Sequence, residues 1–320
     1  MLAVALSIAL VLIGLVLLAR APDYFVEGSA TIARRIGISA VVVGAVIVGF
    51  GTSAPELLVS SLAAAGGEPE IGIGNVIGSN IANLTLILGV AGLFAPLVMP
   101  RGVIRREMPL TLAATGLFAV LVGNGLTTAE GIALLVVLVV ALVVLIRGGR
   151  SDGHEDDQLA RETDEFLDDE QHRSPGRIAL DVIGGLIGTV AGAQLLVTGA
   201  VDIAEEAGLS GGFVGLTLVA VGTSLPELVT AVAAARKGET QLIIGNLLGS
   251  NLFNSLAVGG AVGVIGSGVV TDATLTVTAV VLMVGATLLG VASMVAGGRV
   301  RKYEGFVLVG AWLATLPLIA

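Results

Sequence analysis

Apolar residues along this chain come in long unbroken runs, without the three- and four-residue spacing of a surface helix or the alternation of a half-buried strand. The runs fall at about 2–19, 37–64, 71–97, 108–123, 127–146, 178–198, 211–235, 241–265, 272–296 and 303–319, and each approaches the roughly 20 residues that cross a bilayer core. Ten membrane helices are predicted. The first run starts at Met1 with no basic leader and no convincing cleavage site, so it reads as a span and not as a removed signal peptide. One polar segment breaks the pattern. Residues 147–177 carry ten Asp or Glu and five Arg, the composition of a solvated connector, and separate residues 1–146 from residues 178–320, five helices on either side.

Composition agrees with the pattern: 55% of residues are hydrophobic and 13% charged, against about 25% charged in soluble domains. An all-α integral membrane protein with no sizeable soluble domain follows, which excludes most cytosolic enzymes and any nucleic-acid partner; the lipid bilayer is its surroundings, and no obligatory protein partner is evident. There is no cysteine, and both histidines, His154 and His172, lie in the polar segment. Thiolate and imidazole chemistry is therefore missing from the spans, no HExxH motif is present, and no cofactor is implied. Oxygen remains, in carboxylates, amides, hydroxyls and carbonyls, and oxygen suits hard cations. All sixteen Lys and Arg fall on one side when loops are counted alternately. By the positive-inside rule that side is cytoplasmic. Both termini are then extracellular and the acidic linker cytoplasmic, in a multi-pass protein of the cell membrane.

Self-comparison is the most informative step. Residues 44–92 match residues 215–263 at a constant offset of 171, without a gap and with 21 identities in 49 positions. GTSAPEL at 51–57 recurs as GTSLPEL at 222–228, and GNVIGSNIAN at 74–83 recurs as GNLLGSNLFN at 245–254. Upstream, Arg34 and Arg35 stand where the second copy has Glu205 and Glu206. Five helices separate the copies, an odd number, so the second is inverted in the membrane. Basic residues inside and acidic ones outside fit that inversion, which is the plan of many secondary transporters.

Within the first motif, Ser53 three residues before Glu56 has the form of a capping box, and Pro55 suits a first helical turn, so a helix should stop near Gly51 and restart here. Ser224, Pro226 and Glu227 repeat the arrangement. In water Glu56 and Glu227 would read as caps. At mid-bilayer an ionisable group costs roughly 2.5–3.5 kcal/mol and marks function, and no Lys, Arg or His lies in the spans to pair with it. Two such carboxylates make a doubly negative site that needs a divalent ion, several monovalent ions, or protons. Thr52 lies four residues before Glu56, and Thr223 four before Glu227, on shared helix faces. Ser79 and Asn83 share a face in the same way, as do Ser250 and Asn254. Helix packing by small polar residues is the alternative role for these four; beside the glutamates, ligation is favoured. Gly74, Gly78, Gly245 and Gly249 read as close-packing positions, while the roles of Asn75, Asn80, Asn246 and Asn251 stay open.

GTSAPE with GNxxGSNxxN, present twice, resembles the alpha-repeats of the calcium/cation antiporter superfamily, in particular its prokaryotic sodium/calcium exchangers. The resemblance covers essentially the whole chain. It implies ten helices in two inverted five-helix repeats, with helices 2, 3, 7 and 8 interrupted around the ion sites. Glu56 and Glu227 would then be the central calcium ligands, shared with sodium and assisted by Thr52 and Thr223. Ser53, Ser224, Ser79, Ser250, Asn83 and Asn254 would complete the sodium sites, and the carbonyls of Gly49 and Ala220 would be further ligands. The activity implied is electrogenic sodium/calcium antiport by alternating access, with helices 1 and 6 sliding as the gate. Asn254, where potassium-dependent relatives carry Asp, implies independence from potassium. The alternative is a proton/cation antiporter that titrates the same two glutamates.

Overall fold

The computed structural model describes residues 2–36, 38–123, 125–152, 174–206, 220–266 and 274–319, and nearly all of them are helical. In chain order the helices are α1 (Leu2–Leu18), α2 (Ala21–Ile36), α3 (Ala40–Thr52), α4 (Ala54–Ala65), α5 (Pro69–Phe94), α6 (Arg101–Arg105), α7 (Glu107–Leu121), α8 (Thr128–Asp152), α9 (Pro175–Glu206), α10 (Ala220–Thr223), α11 (Leu225–Lys237), α12 (Thr240–Ile265), α13 (Val280–Val295) and α14 (Lys302–Ile319). Among the described residues six helical stretches are long and apolar enough to cross a membrane, or seven if α3 and α4 are joined across their 44° bend. Residues 153–173 of the linker and residues 207–219, which include the start of the second motif, lie outside the described residues.

Burial runs opposite to that of a soluble protein. Leu12, Val120, Val281 and Phe306 are exposed, whereas Glu56, Asn83, Glu227 and Asn254 are buried. Lipid accepts the apolar surface, and polar groups must be satisfied within the bundle.

The first span is longer than the hydropathy run at 2–19. After a turn at Ala19–Arg20 the helix resumes as α2, and Ala5–Ile36 forms one stretch. Asp23, Glu27, Arg34 and Arg35 dilute the hydropathy of α2, yet Phe25, Val26, Ala30 and Ala33 are buried, so packing carries the helix beyond the point where an apolar run ends. The same reason extends α9 to 32 residues, past the boundary expected at 198.

Helix α9 packs along both α1 and α2 through glycines. Gly14 lies against Gly192 and Leu196, and Gly185 lies against Ala21 and Phe25; Gly28 meets Val182, and Gly199 meets Val11. A Cβ at any of the four would collide with its neighbour, the signature of small-residue packing in membranes. Each contact has a counterpart 171 residues away. Where α3 crosses α12, Gly245 backs onto Val41 and Gly249 onto Ala45 with no room for a side chain, and the positions equivalent to Val41 and Ala45 lie outside the described residues. Among the described residues nothing lies within 4 Å of where a Cβ on Gly78 would stand, and residue 216, the equivalent of the Ala45 that meets Gly249, lies outside the described residues.

The two motif regions share local geometry as well. Gly67 and Gly238, with φ of 88° and 76°, turn the chain after α4 and α11 in a conformation that only glycine adopts freely. Helices α5 and α12 each contain a π-helical turn, at Asn83–Ile87 and Asn254–Val258. Such turns insert one extra residue and often lie at functional positions; here each begins at a motif asparagine.

Candidate ion-binding site

Ser53 and Ser224 sit at the bends. Their backbones take φ −84°, ψ 6° and φ −91°, ψ 5°, and Pro55 and Pro226 follow in the first turns of α4 and α11. The expected stop and restart is present: one helical segment ends at Thr52 and the next begins at Ala54, with a 44° bend between them, the Ser53 N–H donating to the Gly49 carbonyl at 3.1 Å and the Leu57 N–H to the Ser53 carbonyl at 3.2 Å. The capping box, however, does not form. Neither serine caps its helix through its side chain; Ser53 Oγ donates across the molecule to Glu227 Oε1 at 3.0 Å. Glu227, a carboxylate removed from water, needs a donor, and the serine hydroxyl supplies one.

Glu56 and Glu227 are each 1% exposed, and they lie close enough for their charges to repel. Three of their four carboxylate oxygens, both of Glu56 and Oε2 of Glu227, have no hydrogen-bond partner among the described residues. Natural structures leave few buried polar atoms in that condition, and one so left signals strain, chemistry or a missing ion.

Neutral oxygens surround the pair. Thr52 Oγ1 lies 3.0 Å from the Val48 carbonyl and 3.3 Å from Asn246 Oδ1, either of which can accept its proton, and it is within reach of Glu227. Ser250 Oγ lies 3.4 Å from both Asn246 Oδ1 and the Gly49 carbonyl. The Gly49 oxygen therefore already receives Ser53 N–H and Ser250 Oγ. Asn83 and Asn254 are 1% exposed, and neither amide atom of either has a hydrogen-bond partner among the described residues. They are arranged crosswise: the π turn of Asn254 packs on α4, which bears Glu56, and that of Asn83 packs on α11, which bears Glu227. Ser79 and Ser224 are buried on α5 and at the start of α11, and Ala220 opens α10. Among the described residues no group of three or more His, Cys, Asp or Glu is placed to hold a metal ion, and the donors described at this site are two carboxylates and neutral oxygens.

Of the four unplaced asparagines, one belongs to this site. Asn75 donates to Ser60 Oγ at 2.9 Å and to the Glu56 carbonyl at 3.4 Å. Asn80 donates to Ser255 Oγ at 2.9 Å, and Asn251 to the Asn80 carbonyl at 3.1 Å. These three tie elements together. Asn246 instead presents Oδ1 to Thr52 and Ser250. The four-residue spacing of Asn246, Ser250 and Asn254 is shared by Asn75, Ser79 and Asn83 and does not single Asn246 out; what differs in the sequence is that Ser60, which holds Asn75, is replaced by Ala231 in the second copy.

A cavity of about 270 Å³ reaches the bends from one end of the bundle. Gln194, Thr198 and Asp202 of α9 line one wall, and Pro55, Thr223 and Pro226 line the other. Ser7 Oγ donates to Asp202 Oδ2 at 3.2 Å, which ties α1 to the mouth.

A family model described as Sodium/calcium exchanger protein matches residues 6–147 and again residues 178–319. The chain belongs to this exchanger family. It is thus a multi-pass membrane antiporter of calcium and other cations, with the ions as substrates and no enzymatic chemistry. It is 39% identical to CaxA of Alkalimonas amylolytica over 95% of both chains. To the sodium/calcium exchanger MaX1 of Methanosarcina acetivorans it is 32% identical over 99% of both. The solved structure of the sodium-calcium exchanger NCX_Mj soaked without sodium or calcium superimposes with a TM-score of 0.84, at 29% identity, over 99% of this chain and 100% of that one.

Proposed function

We propose that the protein exchanges sodium for calcium by alternating access to one site built around Glu56 and Glu227. The observation that carries this reading is the pair itself: two mutually repelling carboxylates, buried side by side, with three of four oxygens unpaired and no basic side chain bonded to them among the described residues. A cation supplies what is missing. Calcium takes six to eight oxygens; the two carboxylates offer up to four, and Thr52 and Thr223 add hydroxyls. In the sodium-loaded state the same glutamates serve with Ser53, Ser79, Asn83, Ser224, Ser250 and Asn254, and the Gly49 and Ala220 carbonyls join as the bends adjust. Each loading excludes the other, and that exclusion is the antiport.

The architecture we infer is ten helices in two inverted repeats, residues 1–146 and 178–320, joined by the linker 147–177. The glycine contacts, π turns and left-handed glycines that recur at an offset of 171, and the double match of the family model, all support it. The basic residues orient the linker and the turn after α11 to the cytoplasm and the termini outward, in the plasma membrane. The first span, α1 with α2, and α9 together form the moving gate, and the cavity beside Asp202 is the outer access route.

Calcium uptake into sodium-loaded proteoliposomes tests the site. Glu56→Gln and Glu227→Gln are each expected to lower uptake at least about 100-fold, since the change removes a buried charge from its partner. Uptake undiminished in both variants overturns the assignment, and uptake driven by a pH jump without sodium would transfer the same glutamates to proton exchange.

A further inference from the structure

The two ends of the bundle are not equivalent, although the repeat makes them so in backbone. At the end opposite the cavity, α2 packs on α11 and two ion pairs join them: Lys237 Nζ to Glu27 at 3.1 Å, and Arg34 to Glu239 at 3.1 Å. Positions 171 residues away carry different chemistry. Glu27 corresponds to Thr198, Lys237 to Gly66, Arg34 to Glu205 and Glu239 to Glu68. One pair becomes a hydroxyl opposite a glycine, and the other becomes two acids, so no ion pair can join α9 to the turn after α4.

Packing follows the charges. Val197 and Val59 line the open cavity of about 270 Å³. Their counterparts Val26 and Thr230 line a crevice with no space for a water molecule. Ala30, the counterpart of Val201 in the open wall, is fully buried.

We propose that Lys237–Glu27 and Arg34–Glu239 form a latch that holds the passage on the basic side shut, and that the unlike residues at the equivalent outer positions leave the other passage without one. The resting protein therefore favours its outward-open form. This rests on the alternating-access reading above. The pairs are partly exposed, and pairs of that kind shift an equilibrium modestly, here on the order of two- to tenfold between the two open forms. A weak latch suits a transporter, because the latch must break once in every cycle.

The absence of cysteine makes the test direct. Ala30→Cys and Val201→Cys place single thiols at equivalent points of the two passages, to be reacted in proteoliposomes with a membrane-impermeant maleimide applied from each side in turn. In the otherwise unaltered chain the thiol at 201 is expected to react readily and that at 30 to be protected. Adding Arg34→Gln and Lys237→Gln should raise labelling at 30 two- to tenfold and lower it at 201. Choline chloride, which screens charge without being carried, should act in the same direction. The exchanged pair Glu27→Lys with Lys237→Glu should restore protection, which a merely structural role for Lys237 would not. Labelling at 30 that stays unchanged in the neutralised chain, or that the exchanged pair raises equally, overturns the latch. Sodium-driven calcium uptake in the same vesicles separates the two readings: normal uptake with unaltered labelling sinks the latch alone, and the expected labelling without uptake sinks the exchange assignment alone.

Discussion

Ser53 spans two roles that its neighbours keep apart, since it marks the bend of its own helix and donates to Glu227 of the other copy. As a sodium ligand it should matter more for one ion than the other. Ser53→Ala is expected to raise the half-saturating sodium concentration about three- to tenfold, the worth of one polar contact, and to change that for calcium less than about twofold. Exchange rates measured against each ion separately would expose an equal loss for both, which contradicts the role. At this scale the sequence was most eloquent about charge. Glu56 and Glu227 were legible because a bare carboxylate in an apolar span is too costly to keep without a use. Asn246 was not, because its neighbours Thr52 and Ser250 come from elements far apart in the chain, and a pattern of four on one helix does not say which helix faces it. The capping box at Ser53 was misleading for a related reason: in water the hydroxyl turns to the backbone of its own helix, and here a buried carboxylate of the other copy takes it instead.

Among elements, the crossing of α3 and α12 holds the two copies together. Gly249 rests on the backbone of Ala45. Gly249→Val should cost about 1–3 kcal/mol through overpacking and lower the melting temperature in detergent, whereas the same substitution at Gly310, an exposed helical position with no described neighbour within 4 Å, should change it little. Equal melting temperatures for the two variants would contradict this packing. The repeat named Gly249 as a packing position; which helix packs on it is something a sequence does not display. Helix ends were hidden in the same way. Hydropathy closed the first span at 19 because it averages over all faces, while α2 is held by one buried face around Phe25 and Val26.

The whole molecule places one doubly negative site in a membrane that carries a voltage. If the sodium charge moved exceeds that of calcium, each net charge is worth about 2.3 kcal/mol per 100 mV. Calcium uptake should therefore speed up when a potential is imposed that favours sodium exit, and it should proceed without potassium, given the neutral amide of Asn254. Equal rates at opposite potentials would argue for an electroneutral cycle, and a requirement for potassium would argue against the role given to Asn254. Sequence symmetry foretold two copies, and Arg34 opposite Glu205 already marked their ends as unlike; what it did not display is that Glu27 and Arg34 meet Lys237 and Glu239 across the fold.

The length of α9 has a consequence for the lipid. Its 32 residues extend about 48 Å at 1.5 Å per residue, against a hydrocarbon layer of about 30 Å. A helix of that length must lean steeply or emerge, and its partner α1–α2 leans with it through interlocked glycines. Steep helices feel bilayer thickness, because thinner membranes favour greater tilt. The exchange rate in this protein should accordingly vary with acyl-chain length in reconstituted membranes. A homologous series of phosphatidylcholines would reveal an optimum, and the membrane itself would then act as a mechanical load on ion exchange.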